Sequence, residues 1–163
     1  MLGKASSLLS METTPAHCKS RNRPSGGTSD SPEAMTKSIA ITGTSRGLGQ
    51  ALAERFEELG HKVVGGGRTE AAQLSEPVSG RYFKLDVTDA DSQQRWWDSV
   101  ESELGCLPHI VIVNAALINE SAPLWEVPVE EFRKVVDVNI NGVFLTFHQF
   151  LNRWMRSDRK ESV

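Results

Sequence analysis

One string of residues carries chemistry in its spacing: Thr42-Gly43-Thr44-Ser45-Arg46-Gly47-Leu48-Gly49. Each glycine answers a different geometric need. Gly43 permits a sharp exit from a strand, Gly47 lets the backbone come close to a pyrophosphate, and Gly49 lets a helix pack near a sheet. The helix that follows opens with N–H groups that have no intrahelical partner, and the positive end of its dipole adds to their attraction for phosphate oxygens. The chemistry implied is capture of a diphosphate by main-chain donors. Three glycines alone are a weak signal; what gives them meaning is a strand before and a helix after.

The neighbouring residues supply that context. Ser38-Ile39-Ala40-Ile41-Thr42 reads as a first strand. Leu48, Leu52, Phe56 and Leu59 then recur at steps of three and four, the spacing of an apolar helix face, and Gly60 stands where a glycine stop belongs. Lys62-Val63-Val64 is a second strand ending in Gly65-Gly66-Gly67-Arg68, and residues 81–86 are a third. Asp89 N-caps a helix to about Leu104, closed by Gly105. His109-Ile110-Val111-Ile112-Val113-Asn114 is too short for a helix and rich in β-branched residues, as in a strand buried on both faces of a parallel sheet. A long helix starts near Pro128 and runs to Trp154, with Val129, Phe132, Val135, Val136, Ile140, Val143, Phe144, Phe147 and Leu151 on one side. This alternation predicts an α/β fold, a Rossmann-like doubly wound parallel sheet built from right-handed crossovers.

Composition narrows the possibilities from the other side. A chain of 163 residues with 18 Lys+Arg, 21 Asp+Glu and 39% hydrophobic residues fits at most one soluble globular domain. It has no apolar run of the roughly 18 residues that a membrane span needs. Its net charge of -3 offers no basic surface for nucleic acid. Cys18 and Cys106 lie far apart with no metal-ligand spacing, so neither a disulfide framework nor a metal site is signalled, and the cytoplasm is the expected compartment. Residues 1–35 hold too little apolar surface to offset their ordering entropy. They are expected to be a disordered tail or leader, with an organellar address as the less favoured reading, and residues 36–163 are the folded part.

The spacing TGxxxGxG, written here from Thr42 to Gly49, resembles the cofactor loop of the short-chain dehydrogenase/reductase family. Asp86-Val87, after the third strand, resembles that family's adenine-contacting aspartate and its neighbour. Val113-Asn114-Ala115-Ala116 is similar to the family's Asn-Asn-Ala-Gly, matching at Asn114 and Ala115 and departing at Val113 and Ala116. Val138-Asn139-Ile140-Asn141-Gly142 resembles the segment that bears the family's structural and catalytic asparagine, at Asn139. The resemblance covers about residues 37–155 in order. It implies a nicotinamide dinucleotide bound by Thr42 to Gly49, Arg68, Asp86, Val87, Asn114, Ala115 and Ala116, and a carbonyl or secondary alcohol as substrate. A carboxylate at the end of the second strand would accept from the free ribose 2′-hydroxyl of NAD. Arg68 stands there instead and, with Arg46, offers guanidinium donors to a 2′-phosphate, so NADP is the expected cofactor and NAD the alternative.

The resemblance also implies a Ser, and a Tyr followed four residues later by a Lys that lowers the phenol pKa. The sole tyrosine, Tyr82, lies in the third strand, and the fourth residue after it is Asp86. Only Asn139 of the catalytic set is found. The expectation is therefore a partial NAD(P)-binding Rossmann domain, truncated after the fourth strand and the long helix, with that strand left as a sheet edge. A non-catalytic dinucleotide-binding or dimerisation module, or the product of a truncated gene, is the alternative. His61, His109 and His148 show no ligand spacing, and Trp96, Trp97 and Trp125 are expected to cover the sheet or a helix packing surface. By analogy with the family, helix 128–154 is where a second copy would dock.

Overall fold

A computed structural model describes residues 36–69 and 81–157. The expected tail, 1–35, lies outside the described residues. Four parallel strands form one sheet in the order β3-β2-β1-β4: β1 (Ser38–Thr42), β2 (Lys62–Gly67), β3 (Tyr82–Lys84) and β4 (Ile110–Val113). Helix α1 (Gly47–Glu58) joins β1 to β2, and α2 (Ala90–Leu104) joins β3 to β4. Beyond β4 come α3 (Val129–Val136) and α4 (Gly142–Arg156), joined by a π-helical turn, Asp137–Asn141.

The period of two along each strand sorts the core into two layers. Ile39, Ile41 and Val63 face α1, whose Ala53, Leu52 and Phe56 cover them together with Ile112. Ala40 and Val64 face the other way, against Trp96, Trp97, Val100 and Leu104 of α2 and Phe150 of α4. Helices thus cover both faces, as the doubly wound expectation requires. Trp96 and Trp97 are fully buried with ring centroids 4.9 Å apart, and Trp97 lies 5.6 Å from Phe150. Arg153 fastens α4 to α2 at its rim, through Asp98 at 2.8 Å and Glu101 at 3.0 Å.

Asp89 caps α2 as expected, accepting from the Asp91 N–H at 2.9 Å, and Gly105 ends that helix in the left-handed region. Other expectations change. The glycines Gly65, Gly66 and Gly67 lie inside β2 rather than beyond it. Their missing side chains make room for Thr44, for the Trp96 indole and for the Tyr82 hydroxyl, respectively. The third strand is shorter than 81–86, spanning Tyr82–Lys84. In α1 the buried line passes through Gly49 and Ala53, while Leu48 is 68% and Leu59 51% exposed. The apolar stripe is rotated because Gly49 presses its backbone against Gly43 and Asn114, which turns Leu48 off the sheet.

The long helix runs unbroken from Val129 to Arg156, as expected, but it is not uniformly α-helical, since Asp137–Asn141 form a π turn within it. Its π turn falls where Asn139 reaches Leu117, and the second half extends to Arg156. A π turn accommodates one extra residue and is a common device for aiming a side chain. Trp125 covers nothing among the described residues, since it lies in a short 3-10 turn, Leu124–Glu126, and is 84% exposed. β4 pairs only with β1, so its outer edge is unpaired among the described residues and its apolar run is half-buried rather than buried on both faces.

Candidate functional site

Parallel pairing brings the C-terminal ends of all four strands to one edge of the sheet. The strand order reverses between β1 and β4, and such a switch point opens a crevice outside the strand ends. The loop from Thr42 to Gly49 lies at this point.

The loop is fixed on both sides. Toward β2, the Gly43 and Thr44 N–H groups donate to the Gly66 carbonyl at 2.6 and 3.2 Å. Toward β4, Thr42 Oγ1 accepts from the N–H groups of Asn114 and Ala115, both at 3.1 Å, and Asn114 Nδ2 donates to the Thr42 and Gly43 carbonyls. Gly43 adopts φ +75, and a Cβ there would meet the Ala115 backbone at 2.8 Å. Two constraints, left-handed backbone and close approach, thus fall on one glycine. Gly47, at φ +62, has open space where a Cβ would project. No side chain caps α1 and no acid lies in its first turn, so its leading N–H groups and positive dipole end are left for an anion.

Around this loop stand the remaining sequence-derived residues. Arg46 is exposed within the loop and Arg68 is exposed directly after β2. Asp86 Oδ1 accepts from the Thr88 N–H at 3.0 Å and from its hydroxyl at 2.7 Å, while the Asp86 N–H donates to Ser92 Oγ at 2.9 Å. Val87 is buried, and its carbonyl accepts from Gln93 Nε2 at 3.1 Å. Asn114 and Ala115 are half-buried at the end of β4, and Ala116 is exposed.

Asn139 is held away from any free role for its amide. Its Nδ2 donates to the Leu117 carbonyl and its Oδ1 accepts from the Leu117 N–H, both at 2.8 Å. The side chain behaves as a short length of strand stitched to the chain beyond β4. Tyr82 is buried and its hydroxyl donates to the Thr69 carbonyl at 2.9 Å, which places it under the end of β2 rather than in the crevice. Of the histidines, His109 and His61 anchor the N-terminal end of the sheet, accepting from the main chain at Ser38 and Lys37, and His148 lies on α4. His61 and His109 thus lie at the opposite end of the sheet from the glycine loop.

Two groups escaped the sequence reading. Gln93 is fully buried in the apolar face of α2, and its Nε2 also donates to Thr146 Oγ1 at 2.7 Å, whose hydroxyl donates to the Gly142 carbonyl at 2.8 Å. This polar chain ties Val87 to the start of α4. A buried glutamine within an otherwise apolar helix face was the available signal. The second group, Tyr82 and Thr69, had none, because their bond depends on how the chain leaves the sheet.

Comparison with known proteins adds an independent line. Residues 37–162 match the family described as short chain dehydrogenase. The chain is 31% identical over 121 residues to an NADPH-dependent pterin aldehyde reductase of Arabidopsis thaliana, covering 71% of this chain and 50% of that protein. Among solved structures it resembles a short chain dehydrogenase from Bacillus anthracis, with a TM-score of 0.62 and 28% identity over 73% of this chain and 50% of that one. It also resembles a 3-ketoacyl-(acyl-carrier-protein) reductase from Brucella melitensis complexed with NADH, with a TM-score of 0.64 and 26% identity over 71% of this chain and 49% of that one. The chain spans about half the length of the curated relatives it matches.

Proposed function

Because the chain belongs to the short chain dehydrogenase family, we propose that it forms the dinucleotide-binding portion of an oxidoreductase that interconverts a carbonyl and a secondary alcohol with NADP(H). The observation that carries this reading is the glycine loop at the β1–β4 switch point, joined to a helix start with no side-chain cap and no acid. The Thr42 and Gly43 carbonyls are occupied by Asn114, which leaves donors rather than acceptors to meet a diphosphate.

In this reading the loop from Thr42 to Gly49 borders the diphosphate, with the main-chain donors coming from Ser45 onward because the Gly43 and Thr44 N–H groups are held by the Gly66 carbonyl. Asp86 and Val87 border the adenine, and Asn114, Ala115 and Ala116 form the floor at the end of β4. Arg46 and Arg68 bind the 2′-phosphate as charge-assisted donors. The Arabidopsis relative is NADPH-dependent by name and the Brucella structure holds NADH, so the choice of NADP rests on those two arginines. When bound, the nicotinamide carries the hydride to or from the substrate carbon. Asn139 acts as a positioning residue, its amide committed to Leu117 and only its main chain left for a proton relay.

The test is titration of the purified chain with NADPH and NADH, followed by nicotinamide fluorescence. Charge-assisted bonds to the 2′-phosphate predict NADPH tighter by about ten-fold or more. Equal affinity overturns the NADP assignment, and binding of neither overturns the dinucleotide reading.

A second reading has one specific observation in its favour. The sole tyrosine is buried with its hydroxyl on Thr69, so these residues offer no phenol for proton transfer, and a non-catalytic dinucleotide module would have the same architecture. Under either reading these residues bind cofactor without turnover; NADPH oxidation by the purified chain with a carbonyl substrate tests this, and turnover overturns it. The partial domain is assigned to residues 36–163, with a second copy docked on the exposed apolar residues Phe144, Phe147, Leu151 and Met155 of α4. Sedimentation of the chain at several concentrations tests that dimer. No helix among the described residues is long and apolar enough to cross a membrane.

A further inference from the structure

We propose that Tyr82 is a positioning residue for cofactor selectivity, holding the end of β2 so that Arg68 is aimed at the ribose 2′-phosphate. The inference rests on the NADP reading above and goes beyond it, because Tyr82 itself touches no cofactor.

The geometry begins with how the chain leaves the sheet. The last ladder bond of β2 is donated by the Leu85 N–H to the Gly67 carbonyl at 2.7 Å. Two residues on, the Thr69 carbonyl is held by the Tyr82 hydroxyl at 2.9 Å. Arg68, exposed, is thus the single residue between two pinned carbonyls. An arginine on a loose loop would lose main-chain as well as side-chain freedom on binding. Holding its backbone leaves only the side chain to order, and a planar guanidinium fork rewards a fixed direction of approach.

Gly67 supports the same assignment. A Cβ there would stand 2.7 Å from the Tyr82 hydroxyl and 3.5 Å from Ser45 Oγ of the glycine loop. The absent side chain admits the tyrosine hydroxyl to the end of β2, close to Ser45 of the glycine loop. A merely structural role, satisfying a buried phenol, would affect every ligand equally. A positioning role must change the ratio of NADPH to NADH affinity.

The experiment measures dissociation constants of both dinucleotides for the full chain and its Tyr82→Phe, Arg68→Ala and doubly substituted forms. Loss of one hydroxyl bond is expected to weaken NADPH about five-fold and leave NADH within about two-fold. In the Arg68→Ala background, Tyr82→Phe should have no further selective effect. Equal weakening of both ligands, no change in either, or an undiminished effect without Arg68 overturns the inference. If Arg68→Ala leaves the ratio unmoved, the NADP reading fails and takes this inference with it; if only Tyr82→Phe leaves it unmoved, this inference fails alone. Because the chain has one tyrosine, fluorotyrosine incorporated during expression reports Tyr82 by fluorine NMR without any substitution. NADPH should shift that resonance more than NADH does, and identical shifts overturn the proposal.

Discussion

Asn114 holds the glycine loop through Gly43, donating from Nδ2 to the Gly43 carbonyl at 3.1 Å and to the adjacent Thr42 carbonyl at 3.3 Å. Thr42 returns the contact, its Oγ1 accepting from the Asn114 N–H at 3.1 Å. The exchange joins β1 to β4 where the strand order reverses. Replacing Asn114 with Leu keeps the volume but leaves two carbonyls without a donor, a cost of about 1–3 kcal/mol in stability. Thr42→Val removes the opposite half of the exchange. Chemical denaturation of both single variants and the double should show non-additive losses, since the two residues share one network. Simple additivity would mean the two sets of bonds act separately.

Gly66 faces the Trp96 indole so closely that a Cβ would overlap it, and that indole donates to the Gly65 carbonyl at 3.1 Å. Gly66→Ala should therefore destabilise the chain by about 1–3 kcal/mol through overpacking of a filled core. Trp96→Phe removes part of the ring and the donor. It should be destabilising alone, yet Gly66→Ala should cost less in its presence than in the parent. A thermal melt of the four proteins measures this, and equal cost in both backgrounds would sink the claim that the indole is what excludes a side chain.

Much of this arrangement was legible in the sequence because it follows local rules. Ser38-Ile39-Ala40-Ile41-Thr42 is a strand at the predicted bounds, Asp89 and Gly105 cap α2 as their types dictate, and the glycine loop lies between strand and helix. The misreadings arose where packing outranks local pattern. Gly65 to Gly67 look like punctuation by composition, but they belong to a strand because Thr44, Trp96 and Tyr82 fill the space that their side chains would take. The apolar residues 128–154 show helical spacing without revealing the π turn, since Asn139 aims at Leu117 only once β4 is in place. At the site, the loop residues could be identified individually, whereas the bond between Tyr82 and Thr69 depends on a meeting of two strands that no spacing encodes.

Arg68 is exposed at the end of β2, with Gly67 before it and no carboxylate at either residue. Under the NADP reading, Arg68→Asp replaces a donor to the 2′-phosphate with a charge that repels it and can accept from a free 2′-hydroxyl. Preference should invert, with NADPH affinity falling by about ten-fold or more and NADH affinity rising. Added salt should weaken NADPH binding to the parent more than NADH binding, because the extra attraction is between exposed charges. Fluorescence titration at two ionic strengths measures both effects, and unchanged NADPH affinity in the variant would remove Arg68 from the site.

Asn139 and Leu117 form a two-bond pair, each bond 2.8 Å, in which the amide donates to one main-chain group and accepts from the other. Asn139→Asp keeps the acceptor and loses the donor, so a carboxylate oxygen would face the Leu117 carbonyl. Ionisation is then opposed in the folded state, and the pKa of the introduced group must lie above its unfolded value of about 3.9. The sign follows from linkage: the folded variant binds its proton more tightly than the unfolded one, so relative stability rises as pH falls through the raised folded pKa and levels off below the unfolded value. At neutral pH the variant should be less stable than the parent by about 1–3 kcal/mol, and the gap should narrow in acid as the protonated carboxyl donates to Leu117. Urea denaturation of both proteins from neutral pH down to about pH 4 tests this. A gap independent of pH would show that the Asn139 donor contributes nothing, and the π turn would then need another explanation.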